Sequence, residues 1–281
     1  MTVDLFLTGI LQGLILSILA YGIMIPFRLL NFPDLTAEGS YPLGGALCAT
    51  ALSYGISPVF ALLIALVGSG LLGIATSLVY LRLGVNTLLA GIILSTMTYS
   101  LNLRIMAKPN IALFDTVTIF SDLDCINNIM VLTGIILAIQ IPFTWFLKTE
   151  LGLSLRAVGL NADFAKKQGI CVSSYTQLGL FLGSALAGLA GALTVQLNQY
   201  MDISIGVGIV IHALAALMIG EVVLGTQSMF RQLSAPLLGS LLYQQLQGLV
   251  LSIGLEPSDL KLFTGITVLA VISIKKLNQR I

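Results

Sequence analysis

The sequence predicts an all-α polytopic membrane helix bundle of about nine spans (about eight to ten), with the N-terminus outside and the C-terminus inside. Three observations predict it. The 281 residues are 57% hydrophobic and only 9% charged, where a soluble domain carries about 25% charged residues. Mean hydropathy is +1.02. Apolar runs of about 20 residues recur along the whole chain, each long enough to cross a bilayer as a helix.

The runs follow in order. Leu5 to Phe27 comes first; the opening MTVDLFLTGILQG has no positive start and no small-residue cleavage site, so it reads as a span that stays. Leu35 to Tyr54 is the least apolar. It begins FPDLTAEGSYPLGG, a composition suited to a broken helix or one partly outside the lipid. Pro58 to Leu81, Thr87 to Met106 and Ile126 to Leu147 follow, then Val172 to Leu197, Ile205 to Leu224, Gln232 to Ile253 and Leu260 to Ile274. In LGLFLGSALAGLAGAL, Gly179, Gly183, Ala187 and Gly191 recur four apart on one helix face. Small residues at that spacing admit close approach of another helix or of a second subunit.

Lys and Arg set the orientation, because cytoplasmic loops carry the excess. With Lys275, Lys276 and Arg280 inside, Arg28, Arg82, Lys148, Arg156, Lys166, Lys167 and Arg231 also fall inside. Only Arg104, Lys108 and Lys261 fall outside. Residues 1–281 then form a single transmembrane domain, with an external loop at 107–125 carrying Asp115, Asp122 and Asp124, and a polar cytoplasmic segment at 149–170.

That segment, RAVGLNADFAKKQGI from Arg156, is organised. Ser154 caps a short helix that Gly159 ends, and Asn161 caps a second from Ala162 to Gln168. Asp163 lies in the first turn, Lys166 and Lys167 in the last, and Gly169 follows as the left-handed terminator. Helices under about 12 residues are marginal in water, so this one must dock on something. A plain ordered loop and a docking element fit the residues equally well.

One span carries a polar strip. Ser95, Tyr99, Asn102 and Met106 are spaced four, three and four apart and share a helix face. Such a strip is costly toward lipid; it suits hydrogen bonds between helices or the lining of a translocation path. Asp34 and Glu38 are also four apart, at a helix start where negative charge is favoured.

The stretch LRAVGLNADFAKKQGI, between two spans and followed by a small-residue helix, resembles the cytoplasmic coupling segment of ABC importer permeases of the branched-chain amino acid/ribose type. Arg156, Gly159, Asn161, Ala165, Gly169 and Ile170 fit that family's pattern. RLLNFPDLTAEGSYPLGGAL is similar to the family's second-helix segment, and NTLLAGIILSTMTYSLNLRIMAKPNIALF resembles a subgroup of tryptophan/tyrosine transport permeases. The resemblance implies a multi-pass permease subunit in a bacterial cytoplasmic membrane. It implies partners too: a second copy, cytoplasmic ABC ATPase subunits that hold ATP and Mg, and an extracytoplasmic solute-binding protein or lipoprotein. An aromatic amino acid is the implied solute. Leu160 and Phe164, exposed on the segment, would enter the ATPase alongside those pattern residues. Asp34 and Glu38 would contact the inner gate or the ATPase, or serve only as caps.

No Gly-Lys dipeptide exists, which excludes a phosphate-binding loop of the Gly-rich, Lys-Ser/Thr form. No nucleophile-elbow or zinc-helix pattern appears, so no catalytic residue, metal site or cofactor is assigned to this chain. Cys48, Cys125 and Cys171 are too far apart for a metal or redox motif; Cys48 and Cys171 read as small apolar residues, and His212 as a packing or single hydrogen-bonding group. No basic patch points to nucleic acid. A self-contained secondary transporter is the alternative, and it would need ionisable groups at the membrane midplane, where only His212 is a candidate.

Overall fold

The computed structural model describes residues 3–121, 123–252, 254 and 259–278. Asp122, Ile253 and Arg280 lie outside the described residues, as do the side chains of Lys261, Lys275 and Lys276. Helix α1 (Val3–Met24) runs into a π-helical turn, Ile25–Leu29, where Pro26 has no N–H to give an α-helical bond. Then come α2 (Ala37–Ser53), α3 (Pro58–Leu83), α4 (Thr87–Met106), α5 (Cys125–Phe146), α6 (Glu150–Leu160), α7 (Ala162–Lys167), α8 (Val172–Asn198), α9 (Ile209–Leu224), α10 (Met229–Ser252) and α11 (Leu260–Asn278). Two short strands, β1 (Asn110–Ala112) and β2 (Tyr200–Asp202), pair antiparallel with Ile111 opposite Met201.

Among the described residues, six helical segments are long and apolar enough to cross a membrane: Asp4–Leu29, Pro58–Leu83, Thr87–Met106, Cys125–Phe146, Val172–Asn198 and Ile203–Leu224. Helices α2, α10 and α11 fill the other apolar runs but fall short of that measure. The burial pattern of α3 is that of a membrane helix. Val59, Phe60, Leu63, Ile64, Val67 and Leu71 are exposed, while Ala61, Ala65, Ser69, Gly70, Gly73, Thr76 and Ser77 are buried. Bulky apolar side chains point out, where lipid replaces water, and small ones point in, where backbones approach.

The chain divides into two compact units. One comprises 1–20, 123–141 and 211–281. In it α9 and α10 meet at glycines: a Cβ on Gly220 would lie 1.9 Å from the Ala235 carbonyl, and one on Gly239 would lie 1.9 Å from that of Ala216. The buried Tyr243 hydroxyl joins three helices, meeting His212 Nδ1 at 3.1 Å, Thr264 Oγ1 at 2.7 Å and Gln247 Nε2 at 2.7 Å.

The second unit comprises 21–122 and 142–210. Here α2 is the central helix, packed by α3, α4 and α8. It is one unbroken helix, not the broken one its polar start suggests, and most of it is buried. Its small residues explain why: a Cβ on Gly44 would lie 2.0 Å from the Gly188 carbonyl of α8. The small-residue stripe of α8 is likewise used inside the chain. Gly183 meets the Gly22 carbonyl, Gly191 the Tyr41 carbonyl, and Gly179 the Leu30 side chain, so this face is not free to pack on a second subunit. Gln196, fully buried, donates to the Pro58 carbonyl at 3.2 Å and accepts from the Ile119 N–H at 3.0 Å, pinning the loop after α4. Cys48 is buried as expected, but Cys171 is exposed at the start of α8.

Candidate functional site

The second unit contains a cavity of about 390 Å³. Its walls are Glu38 and Pro42 of α2, Ser95, Thr96, Tyr99 and Asn102 of α4, and Ile203, Gly206 and Val207. Three glycines bring these elements together. A Cβ on Gly39 would lie 2.7 Å from Ser95 Cα, and one on Gly91 would lie 2.8 Å from the Leu35 nitrogen, so α4 lies directly on the start of α2. A Cβ on Gly206 would lie 2.5 Å from the Glu38 carbonyl. Helix α4 begins cleanly, with Asn86 Oδ1 accepting from the Leu88 N–H at 3.0 Å. Its regular turn from there carries Ser95, Tyr99 and Asn102 to the same wall.

Ser95, Tyr99, Asn102 and Glu38 are therefore brought together. Met106, on the same strip, is 4% exposed and is not among the cavity-lining residues. Tyr99 is half exposed. Asn102 is 1% exposed and its Oδ1 has no hydrogen-bond partner among the described residues. Glu38 Oε1 accepts from the Gly208 N–H at 3.0 Å. Pro42, Thr96, Ile203, Gly206 and Val207 are not signalled as site residues by the sequence. Pro42 is one turn beyond Glu38 and Thr96 adjoins Ser95, so helical spacing could have found those two. The residues at 203–207 reach the cavity only by tertiary folding.

Asp34 lies apart from these walls, in the segment between the π turn and α2. It is 4% exposed. Its Oδ1 accepts from the Thr36 N–H at 2.8 Å and from the Thr36 hydroxyl, which also meets the Thr76 hydroxyl at 2.9 Å. Burial pushes its carboxyl up to about 6, while the two Thr36 bonds pull the other way.

The polar segment forms α6 and α7. Ser154 does not begin the first helix: α6 starts at Glu150, and Ser154 lies inside it. Gly159 does not end it either. It sits within α6, where a Cβ would lie 1.9 Å from the Leu29 carbonyl and 2.7 Å from Leu30 Cα, so its role is backbone contact. Arg156 Nη2 donates to the Leu147 carbonyl at 3.1 Å, tying α6 to the end of α5. Asn161 caps α7, its Oδ1 accepting from the Phe164 N–H at 2.9 Å. Gly169, at φ +81°, donates to the Lys166 carbonyl at 3.1 Å and Ile170 donates to that of Ala165 at 3.0 Å, which closes the helix in a Schellman turn. Leu155 and Ala165 are fully buried beneath the module, whereas Leu160 is 88% and Phe164 58% exposed.

The family model described as branched-chain amino acid transport system / permease component matches residues 5–272. A tyrosine transport system permease protein of Clostridioides difficile is 36% identical over 267 residues, covering 95% of this chain and 90% of that protein. An uncharacterized protein of Rickettsia prowazekii is 34% identical over 277 residues, 97% of this chain and 98% of that one. A protein of Methanocaldococcus jannaschii named as a probable branched-chain amino acid transport permease, LivH, is 27% identical over 235 residues, 75% of this chain and 72% of that one. Among solved structures, an ABC transporter of metal-chelate type in an inward-facing conformation shares the fold, with a TM-score of 0.51 at 16% identity over 96% of this chain and 83% of that one. By sequence over nearly its whole length, the chain belongs to the branched-chain amino acid transport system permease family and is a multi-pass membrane protein.

Proposed function

We propose that this chain is the membrane-spanning subunit of an ATP-driven ABC importer in the bacterial inner membrane. It pairs with a second copy of itself, crosses the bilayer about nine times with its N-terminus outside, and passes an amino acid of aromatic type delivered by an extracytoplasmic binding protein. ATP and Mg belong to the cytoplasmic ATPase subunits. The observation that carries the reading is the α6–α7 module. Its backbone is held by Gly159, Asn161 and Gly169, yet it presents Leu160 and Phe164 to solvent. A folded element that holds two large apolar side chains outward suits insertion into a partner. ATP binding closes the ATPases, the seated module moves with them, and α6 transmits the movement to the π turn it touches through Gly159 and Leu29.

The test is affinity purification of the tagged chain from its own cells, followed by identification and counting of the co-purified subunits and by solute uptake. Two permease copies with two ATPases, and uptake that requires ATP, are expected. A lone chain whose uptake follows an ion gradient would mean a secondary transporter.

A further inference from the structure

We propose that Glu38 is the selectivity residue of the α2–α4 cavity, its carboxylate anchoring the ammonium group of the transported solute. This rests on reading the cavity as part of the translocation path. The cavity has an imbalance of hydrogen-bonding groups. Glu38 uses Oε1 on the Gly208 N–H, and its other oxygen has no partner among the described residues. No Lys or Arg is among the residues lining the cavity. Asn102 lines the same cavity, is nine-tenths and more buried, and leaves Oδ1 unpartnered. The walls thus hold a carboxylate with no cation among the lining residues and a buried amide oxygen without a donor. An ammonium group supplies three donors and the compensating charge. The Ser95 and Thr96 hydroxyls, also in the lining, donate to carbonyls of their own helix, and Pro42, Ile203, Val207 and the half-exposed ring of Tyr99 suit the flat or apolar body of such a solute. A solute with a carboxylate and no ammonium would bring like charge to Glu38. The competing role is structural, Glu38 serving only to hold the loop at Gly208, and the variants below separate the two.

The experiment uses the purified permease–ATPase assembly in nanodiscs, without a binding protein, and radiolabelled L-tyrosine as probe. Tyramine, which keeps the ammonium and lacks the carboxylate, should displace it; hydroxyphenylpropionate, which lacks the ammonium, should not. Glu38→Gln keeps an oxygen for Gly208 and should weaken tyrosine and tyramine binding by about tenfold, the size of one lost charge-assisted contact. Asn102→Asp adds a second negative acceptor and should tighten tyramine binding, a result readable even where Glu38→Gln does not assemble. Four outcomes overturn the proposal: no tyrosine binding to the native assembly at millimolar concentration, displacement by hydroxyphenylpropionate as good as by tyramine, binding unchanged in a well-assembled Glu38→Gln, or tyramine binding no tighter in Asn102→Asp. Should no ATPase co-purify, the permease reading falls by itself; the same binding series on the chain alone then decides the role of Glu38.

Discussion

The Glu38 carboxylate accepts a hydrogen bond from the Gly208 N–H at 3.0 Å. The pair joins the first turn of α2 to the connection that follows β2. That connection also brings Gly206 against the Glu38 carbonyl, which closes one wall of the cavity. A movement of the 203–208 segment would therefore reach the cavity directly, because only one residue separates its backbone contact from its hydrogen bond.

Asn102→Leu should lower solute uptake while leaving thermal stability unchanged or slightly higher. The side chain is nearly isosteric, and a buried acceptor without a partner costs about 1–3 kcal/mol, which leucine removes. Uptake in whole cells and unfolding in detergent measure the two effects. A fall in melting temperature with normal uptake would assign Asn102 to packing.

Phe164→Ala should release the ATPase without unfolding the membrane part. Phe164 is 58% exposed in the isolated chain, so its loss opens no cavity there. An aromatic side chain seated in an interface is worth about 2 kcal/mol, or about 30-fold in affinity. ATPase retention on the solubilised variant, read beside its melting temperature, checks this; full retention would make the module only a loop.

Gly159→Ala should act in the opposite way, on stability first. The added Cβ meets backbone on both Leu29 and Leu30, which cannot rotate aside. Overpacking of this kind costs about 1–3 kcal/mol. A lowered melting temperature of the chain without its ATPase is the expected reading.

Tyr243→Phe should destabilise the other unit. It keeps the ring but removes the hydroxyl shared by His212, Thr264 and Gln247, leaving buried polar groups short of a partner. The expected cost is about 1–3 kcal/mol, read as a lower melting temperature with the ATPase still bound.

Cysteines placed at Asp115 and Asp163, in a variant lacking Cys48, Cys125 and Cys171, should react with an impermeant reagent from opposite sides of the membrane. Both positions are exposed. Labelling of both from one side would refute the orientation drawn from Lys and Arg.

What the sequence by itself determined is local. Thr87 to Met106 is a helix with the bounds its apolar run suggests, and Asn161 and Gly169 bracket α7 as their residue types require. Spans and caps depend on neighbours within a few residues, so composition and spacing carry them. The common face of Ser95, Tyr99 and Asn102 is of the same kind, since helical geometry alone groups them. The tertiary structure decided the rest. Helix α2 looked too polar for a continuous buried span because hydropathy assumes a lipid neighbour; its neighbours are α3, α4 and α8, and Gly44 against Gly188 shows how close they come. Gly159 looked like a helix end, yet it is a contact point, because the Leu29 carbonyl that excludes a side chain there lies far away in sequence. Glu38 became a cavity residue only when Gly39, Gly91 and Gly206 let α4 and the 203–208 segment close around it. Close backbone approach between distant segments is a property of packing, and a linear sequence records only the small residues that permit it.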